Sequence, residues 1–392
     1  MWPLALYVHT PFCAYRCRYC YFVFETGWSP RVVERTLQKL DQEVELWKPL
    51  LQQRGWNGKI RTLYWGGGTP SVIPLRQLEA SLQRQSKLWD LGSSAVEEWT
   101  IEVNPENLSA EMLKVFSDQG VTRLSLGIQT FQDQALAVLG RRTDSRTNHR
   151  ALELMASNWK GSWSADLMTG LPGQTEVQTD LKTLFDYQPP HVSLYALTVE
   201  EGTPLATMVR QKRVNLPEER ADELWIQARD ELIASGREWY EVSNFAFPGH
   251  EGKHNQTYWR LEPYLGLGPG AASTLPAQTP AGNILERRQE AALFAWLSET
   301  PASVEFLGKS ALLKEHFLTA LRTREGLPLE RLDSLGEEVR SWAESVGEAW
   351  RRQGWIQPGD HLALTPEGRL ILDSLLRELS WPEFPEVVPD PL

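Results

Sequence analysis

Three cysteines stand between positions 13 and 20, spaced Cys13-x3-Cys17-x2-Cys20, and the rest of the 392-residue chain has none. Thiolates are soft donors that suit an iron–sulfur cluster, zinc or copper(I). An odd number packed this tightly makes a poor disulfide framework. Clusters usually take four cysteines, so a cubane held here would leave one iron open to a substrate or cofactor. Zinc bound by the three thiolates and His9 is the alternative. Buried structural thiols are a third reading.

A second chemically suggestive segment is Trp65-Gly66-Gly67-Gly68-Thr69-Pro70. Consecutive glycines let backbone amides approach a ligand without Cβ interference, and they equally suit a tight turn. No Gly-Lys-Ser/Thr follows, so the run is not a phosphate loop. Further along come Glu102, Gln129, Arg141 and Asp166, each at or near the end of an apolar run. Carboxylates accept hydrogen bonds from hydroxyl or amino groups, and Arg pairs with carboxylates.

These residues need a scaffold, and the apolar pattern supplies one. Strands are expected at Leu4–Val8, Thr62–Trp65, Trp99–Val103, Arg123–Gly127, Ser164–Met168 and His191–Tyr195. Between the first two, Val33, Leu37, Leu40, Val44 and Trp47 recur at helical spacing and define one buried face. Strands alternating with helices imply an α/β fold with a parallel sheet. Six such units suit a TIM-like barrel or partial barrel, whose sites lie at the C-terminal strand ends. The polar and glycine motifs follow the strands directly.

The barrel pattern is expected over residues 1–247. A connecting segment, 248–304, carries loop signals at Gly266–Gly270 and Thr279–Asn283, with helical patterning returning after Leu285. Residues 305–380 read as a small α+β winged-helix-like domain. Leu312, Leu313, His316, Phe317 and Leu321 form a helix face, Trp355–Leu364 a hairpin, and Thr365-Pro366 the cap and first turn of a last helix. Residues 381–392, rich in Pro and Glu, read as a tail.

The net charge of −11 argues against nucleic-acid binding. Acidic residues also outnumber basic ones in the winged-helix-like segment, which favours a structural or protein-contact role. The amino terminus lacks signal-peptide features, and no apolar run is long enough for a membrane span. Unpaired cysteines make a reducing cytoplasm the expected location. The 17 tryptophans are read as packing residues.

The cysteine spacing, placed directly after a first strand, resembles the signature of the radical S-adenosylmethionine superfamily. Tyr7-Val8-His9-Thr10-Pro11-Phe12-Cys13 resembles the opening of its branch that holds oxygen-independent coproporphyrinogen dehydrogenase (HemN) and the heme chaperones (HemW). The resemblance spans nearly the whole chain and implies a radical-SAM partial (β/α)6 barrel. It also implies a [4Fe-4S] cluster on Cys13, Cys17 and Cys20, with S-adenosylmethionine on the open iron. Arg16 and Arg18 would offset the cluster's negative charge. The cofactor's contacts would be Tyr7, Tyr19, Gly67, Gly68, Thr69, Glu102, Gln129, Arg141, Asp166 and Ala196. Relatives often continue Gly-Arg-x-His, where this chain has Thr143.

Two features separate the branches. The dehydrogenases typically carry a fourth cysteine two positions after the third, where this chain has Phe22. They also have a longer segment ahead of the first strand. His254-Asn255-Gln256-Thr257-Tyr258-Trp259 matches the His-Asn-x-x-Tyr-Trp pattern of the chaperones. Histidine ligates heme iron, and Tyr258 and Trp259 could stack on a macrocycle. The plainer reading has His254 and Asn255 holding a loop, with the aromatics as core. The resemblance therefore implies a heme chaperone that passes heme from an exposed site to an acceptor protein, with a flavodoxin or ferredoxin as a conceivable electron donor. A coproporphyrinogen III dehydrogenase and a cluster-dependent winged-helix regulator are the alternatives.

Overall fold

The computed structural model describes residues 1–92, 96–279 and 282–384. Pro280 and Ala281 of the expected loop, and the tail from 385 onward, lie outside the described residues.

Six parallel strands form the framework: β1 (Trp2–Thr10), β2 (Trp56–Gly67), β3 (Glu98–Val103), β4 (Arg123–Gln129), β5 (Ser162–Thr169) and β6 (His191–Ala196). They pair in chain order. Helices α1 (Pro30–Gln53), α2 (Leu75–Leu88), α3 (Ala110–Asp118), α4 (Asp133–Leu139), α5 (Ser145–Asn158) and α6 (Gln178–Phe185) connect them. Two more, α7 (Pro204–Arg210) and α8 (Ala221–Ala234), follow β6. The start of α1 follows from its residues. Ser29 accepts a hydrogen bond from the Val32 amide, and Pro30 occupies the first turn. The predicted stripe of Val33, Leu37, Leu40, Val44 and Trp47 is buried as expected.

Strand alternation decides what faces the interior. On β1, Leu4, Leu6 and Val8 join the core that also holds Val33, Leu37 and Leu40, while Tyr7 and His9 take the other parity. On β3, Trp99, Ile101 and Val103 enter that same core, leaving Glu98, Thr100 and Glu102 on the opposite face. The inner face is therefore polar, and its groups bond across strands. Tyr64 donates to Glu102 at 2.7 Å, and Ser125 lies 2.9 Å from Ser164.

Residues after β6 extend this sheet. Strands β7 (Glu238–Trp239) and β8 (Asn244–Ala246) add antiparallel to the β6 side. After α9 (Lys253–Trp259), β9 (Tyr264–Leu267) pairs parallel with β1. It is followed outward by β10 (Ala272–Thr279), β11 (Gly282–Gln289), the short α10 (Leu293–Leu297) and β12 (Ser303–Leu307). The segment expected as a connector with helical patterning after Leu285 is thus mostly sheet. Glu286, Arg287 and Arg288 are good helix formers, but tertiary pairing overrides that preference. Their strand is held between β10 and β12, with Arg287 paired to Glu315 at 3.1 Å.

The C-terminal residues build a separate core around Leu313, Phe317, Leu321, Val339, Trp350 and Leu364. Its elements are α11 (Lys309–Ala320), β13 (Leu327–Pro328), α12 (Glu337–Arg352), β14 (His361–Leu362), α13 (Pro366–Leu370) and α14 (Leu372–Arg377). Ile356 bridges Leu364 as the expected hairpin requires, and Thr365 caps α13 by accepting from the Gly368 amide at 3.1 Å. Among the described residues, no helix is long and apolar enough to cross a membrane.

Candidate functional site

The loop after β1 carries Cys13, Cys17 and Cys20 to the C-terminal end of the sheet, where all three line one cavity of about 450 Å³. The loop is pinned on both sides. The Cys13 amide donates to Glu25 O at 3.0 Å, and Trp28 donates its indole N–H to Cys13 O at 2.9 Å. Tyr19, Gly67, Gly68, Thr69, Glu102, Gln129, Arg141, Asp166 and Ala196 line the same cavity. Tyr7 does not. It faces a neighbouring hollow, and its hydroxyl lies 3.1 Å from His9 Nδ1.

The glycine run is shaped by its neighbours. A Cβ on Gly66 would sit 2.7 Å from the Glu102 carboxyl and the Tyr64 ring. Gly67 holds φ 99°, and its missing Cβ leaves room for the His9 imidazole. The Gly68 and Thr69 amides donate to Thr10 O and Phe12 O, at 2.8 and 2.7 Å, which ties this run to the base of the cysteine loop.

Glu102 accepts from Tyr64 and, at 3.2 Å, from the Gly67 amide. Burial pushes its carboxyl up to about 7. Asp166 accepts from Ser125 at 3.1 Å and Ser164 at 3.3 Å, and burial pushes it up to about 6. Both acids thus titrate near neutrality, and a cationic ligand group beside them would favour the carboxylate form that accepts hydrogen bonds. Gln129 follows a break in register between β4 and β5 and adopts a left-handed φ of 68°. Backbone strain of this kind is tolerated where surrounding structure enforces it and is concentrated at functional sites.

Arg141 reaches the cavity through Gly127 O at 2.9 Å and Asn104 Oδ1 at 3.2 Å, and lies 3.7 Å from Cys17 Sγ. Arg141 is thus a cation in hydrogen-bond contact with a cluster-site thiol. Arg18 instead donates to Ala137 O and Val138 O at the end of α4, and Arg16 stacks on Phe24. Sequence reasoning gave both arginines the charge-balancing role from proximity along the chain; the charge of Arg16 does act on Cys20, whereas Arg18 is drawn away to α4. That reasoning missed Asn104, which joins Arg141 to Thr69, and Ser125, which holds Asp166. Asn104 directly follows the predicted strand Trp99–Val103, which was the available signal for it; Ser125 lies inside the predicted strand Arg123–Gly127, on the face it shares with Gly127 and Gln129. Thr143 donates to Asn148, which braces the turn after β4 through Ile128 O and Thr130 O.

The cavity's donor set fits a cluster with a polar cofactor. Among the described residues, no three His, Cys, Asp or Glu side chains come close enough to hold one metal ion. Three thiols facing one large cavity suit a cluster in which each cysteine takes a different iron. His9, required as fourth ligand for zinc, does not line the cavity, and its Nε2 lies 2.8 Å from Val23 O. Arg141 Nε is buried without a hydrogen-bond partner, a donor left for a ligand.

The His-Asn-x-x-Tyr-Trp segment forms α9, whose first amides, Lys253 and His254, donate to Glu98 at 3.0 and 2.9 Å. Its three expected heme residues diverge. Trp259 lines a cleft against the C-terminal domain, and Tyr258 lines the hollow beside Tyr7. His254 is buried, and burial pushes its imidazole down to about 3. Its Nδ1 lies 2.9 Å from Thr62 Oγ1 and its Nε2 2.7 Å from the Tyr258 hydroxyl. The sequence reading expects an exposed ligand. The structure instead seats His254 inside, because α9 packs against β2 and the polar inner face supplies partners for both ring nitrogens.

A parallel sheet with an open side and three thiols after its first strand defines the radical S-adenosylmethionine class. Residues 7–184 match the radical SAM superfamily model. A heme chaperone HemW of Lactococcus lactis is 33% identical over 85% of each chain. One from Synechocystis is 30% identical over 91% of this chain and 86% of its own. A bovine mitochondrial radical S-adenosyl methionine domain-containing protein 1 is 34% identical over 96% and 87%. The chain belongs to the HemW family. The solved structure of Escherichia coli coproporphyrinogen III oxidase (HemN) shares the fold, with a TM-score of 0.75 at 20% identity over 96% of this chain and 89% of that one.

Proposed function

We propose that the protein is a heme chaperone that binds heme and passes it to an acceptor protein, with a [4Fe-4S] cluster and S-adenosylmethionine in the cysteine cavity. The observation that carries this reading is family membership together with the His-Asn-x-x-Tyr-Trp helix set against the barrel. Cys13, Cys17 and Cys20 hold the cluster. Gly67, Gly68 and Thr69, whose amides are held by Glu102, Thr10 and Phe12, line the methionine end of the cofactor, and Arg141 pairs with its carboxylate. Glu102 and Asp166 accept from its amino and hydroxyl groups, while Tyr19, Gln129 and Ala196 complete the walls. The bound cluster and cofactor together supply one-electron chemistry.

Tyr258 brings α9 to the heme, His254 orients it from behind, and Trp259 anchors the far end of the helix. Direct ligation by His254 requires it to leave Tyr258. A flavodoxin- or ferredoxin-type protein would supply electrons. Phe22, in place of a fourth cysteine, separates this reading from coproporphyrinogen dehydrogenation.

The test is an anaerobic assay of reconstituted protein for protoporphyrinogen formation, run beside a heme titration. Stoichiometric heme binding with negligible turnover of coproporphyrinogen is expected. Protoporphyrinogen made at an enzymatic rate, or no heme binding, overturns the chaperone reading.

A further inference from the structure

The hollow beside the cysteine cavity encloses about 450 Å³ and opens to solvent on one side. Its cysteine-loop wall is Tyr21-Phe22-Val23, directly after Cys20. Tyr21 is 62% exposed and Phe22 58% exposed, and their rings stack at 4.9 Å with 26° between planes. Two large aromatic side chains held together in water, with a half-exposed valine beside them, leave an apolar surface uncovered. Such patches mark binding sites.

The opposite wall belongs to the barrel and its extension. Tyr258 and Tyr264 meet edge to face at 4.7 Å. Between the walls lie small residues: Ala272 on β10, and Gly270, on which Val23 packs so closely that a Cβ there would come within 2.9 Å of it. The hollow is thus flanked by aromatic rings with small residues between them, the shape a flat apolar ligand fills.

We infer that this hollow is the docking site of the heme, seated between the Tyr21–Phe22 pair and the Tyr258–Tyr264 wall. The inference rests on the heme-binding reading above and adds the location. Continuity selects the occupant. Tyr258 brings the family's helix motif into the wall, and Tyr21 and Phe22 also line the cysteine cavity, so the cargo lies next to the cluster site. Small ligands take concave, mostly apolar sites of this size. The open side gives an acceptor protein access to the cargo without opening the barrel.

The test fills the hollow from the side away from the cysteines. Ala272→Trp and, at an exposed position, Gln289→Trp are each titrated with hemin as full-length, anaerobically reconstituted protein. Both variants should bind hemin at least ten-fold more weakly than wild type. Their iron content and the adenosylmethionine-induced change in the cluster spectrum should be unaltered. If wild type binds hemin and Gln289→Trp binds it with unchanged affinity and Soret spectrum, the heme sits elsewhere and the location is wrong, while the chaperone reading stands. If wild type binds no hemin, both fall. Should Ala272→Trp fail to fold, Gln289→Trp decides alone.

Discussion

His254 and Tyr258, one helical turn apart on α9, share a 2.7 Å hydrogen bond between Nε2 and the phenol. Hydroxyl and imidazole at spacing i, i+4 lie on one helix face. The second ring nitrogen is taken by Thr62 on β2, so the pair links the motif helix to the barrel interior. A neutral imidazole serves this arrangement best, donating from one nitrogen and accepting at the other.

His254→Ala therefore does two things. It leaves the Tyr258 hydroxyl and Thr62 without a shared partner and opens a cavity, costing roughly 2–4 kcal/mol. It also frees the Tyr258 ring. A lower melting temperature and a weakened or spectrally shifted heme complex are expected, with iron content unchanged. Unaltered heme affinity and Soret band would show that the pair has no part in heme binding.

The imidazole also sets a pH dependence. Folded His254 stays neutral until about pH 3, whereas an unfolded histidine protonates near 6.5. The unfolded chain binds the extra proton across that window, so stability falls as pH drops from 6.5 towards 3. His254→Phe removes this contribution. Its stability relative to wild type should improve as pH is lowered from 7 to 5, as read by chemical denaturation at each pH.

Replacing Cys13, Cys17 or Cys20 with Ala should abolish the brown chromophore of anaerobically reconstituted protein, which should otherwise carry about four irons per chain, as a cubane does. Metal analysis on protein purified without oxygen checks this. Full zinc occupancy without iron would contradict it.

Adenosylmethionine should perturb the electron paramagnetic resonance spectrum of the reduced protein. Glu102→Ala and Asp166→Ala should weaken that perturbation while iron is retained, since neither side chain is a thiolate ligand. A spectrum indifferent to adenosylmethionine in wild type counts against an open iron.

The sequence displayed much of this arrangement because its signals were local. The α1 stripe and the Thr365-Pro366 cap depend on nearest-neighbour geometry, and all of these features are present. The residues lining the cysteine cavity stand within or directly after predicted strands, so a parallel sheet gathers them at one end. What was hidden depended on partners distant in sequence. β11 looks helical until β10 and β12 enclose it. His254 looks available until Thr62, 192 positions earlier, claims one nitrogen. Arg141 approaches Cys17 across 124 positions, while Arg18, beside it in sequence, turns to α4.

The burial of Glu102 gives binding and stability opposite interests. In the folded protein its carboxyl titrates at about 7, against an ordinary value of 4.5. Between those values the folded state holds a proton that the unfolded state has released, so stability falls as pH rises through the window and levels off above it. Glu102→Gln removes the charge and its desolvation. An amide can still accept from the Tyr64 hydroxyl or the Gly67 amide, so most of the local geometry survives. The cofactor-free variant should be more stable than wild type at pH 8, by on the order of 1–3 kcal/mol. The difference should shrink towards pH 4.5, as measured by chemical denaturation across that range. Adenosylmethionine binding should weaken in the same variant, since an amide accepts a hydrogen bond from an ammonium group less strongly than a carboxylate does. Destabilisation at pH 8, with cofactor affinity retained, would mean that Glu102 serves as a structural acceptor for Tyr64 and Gly67 and not as a ligand contact.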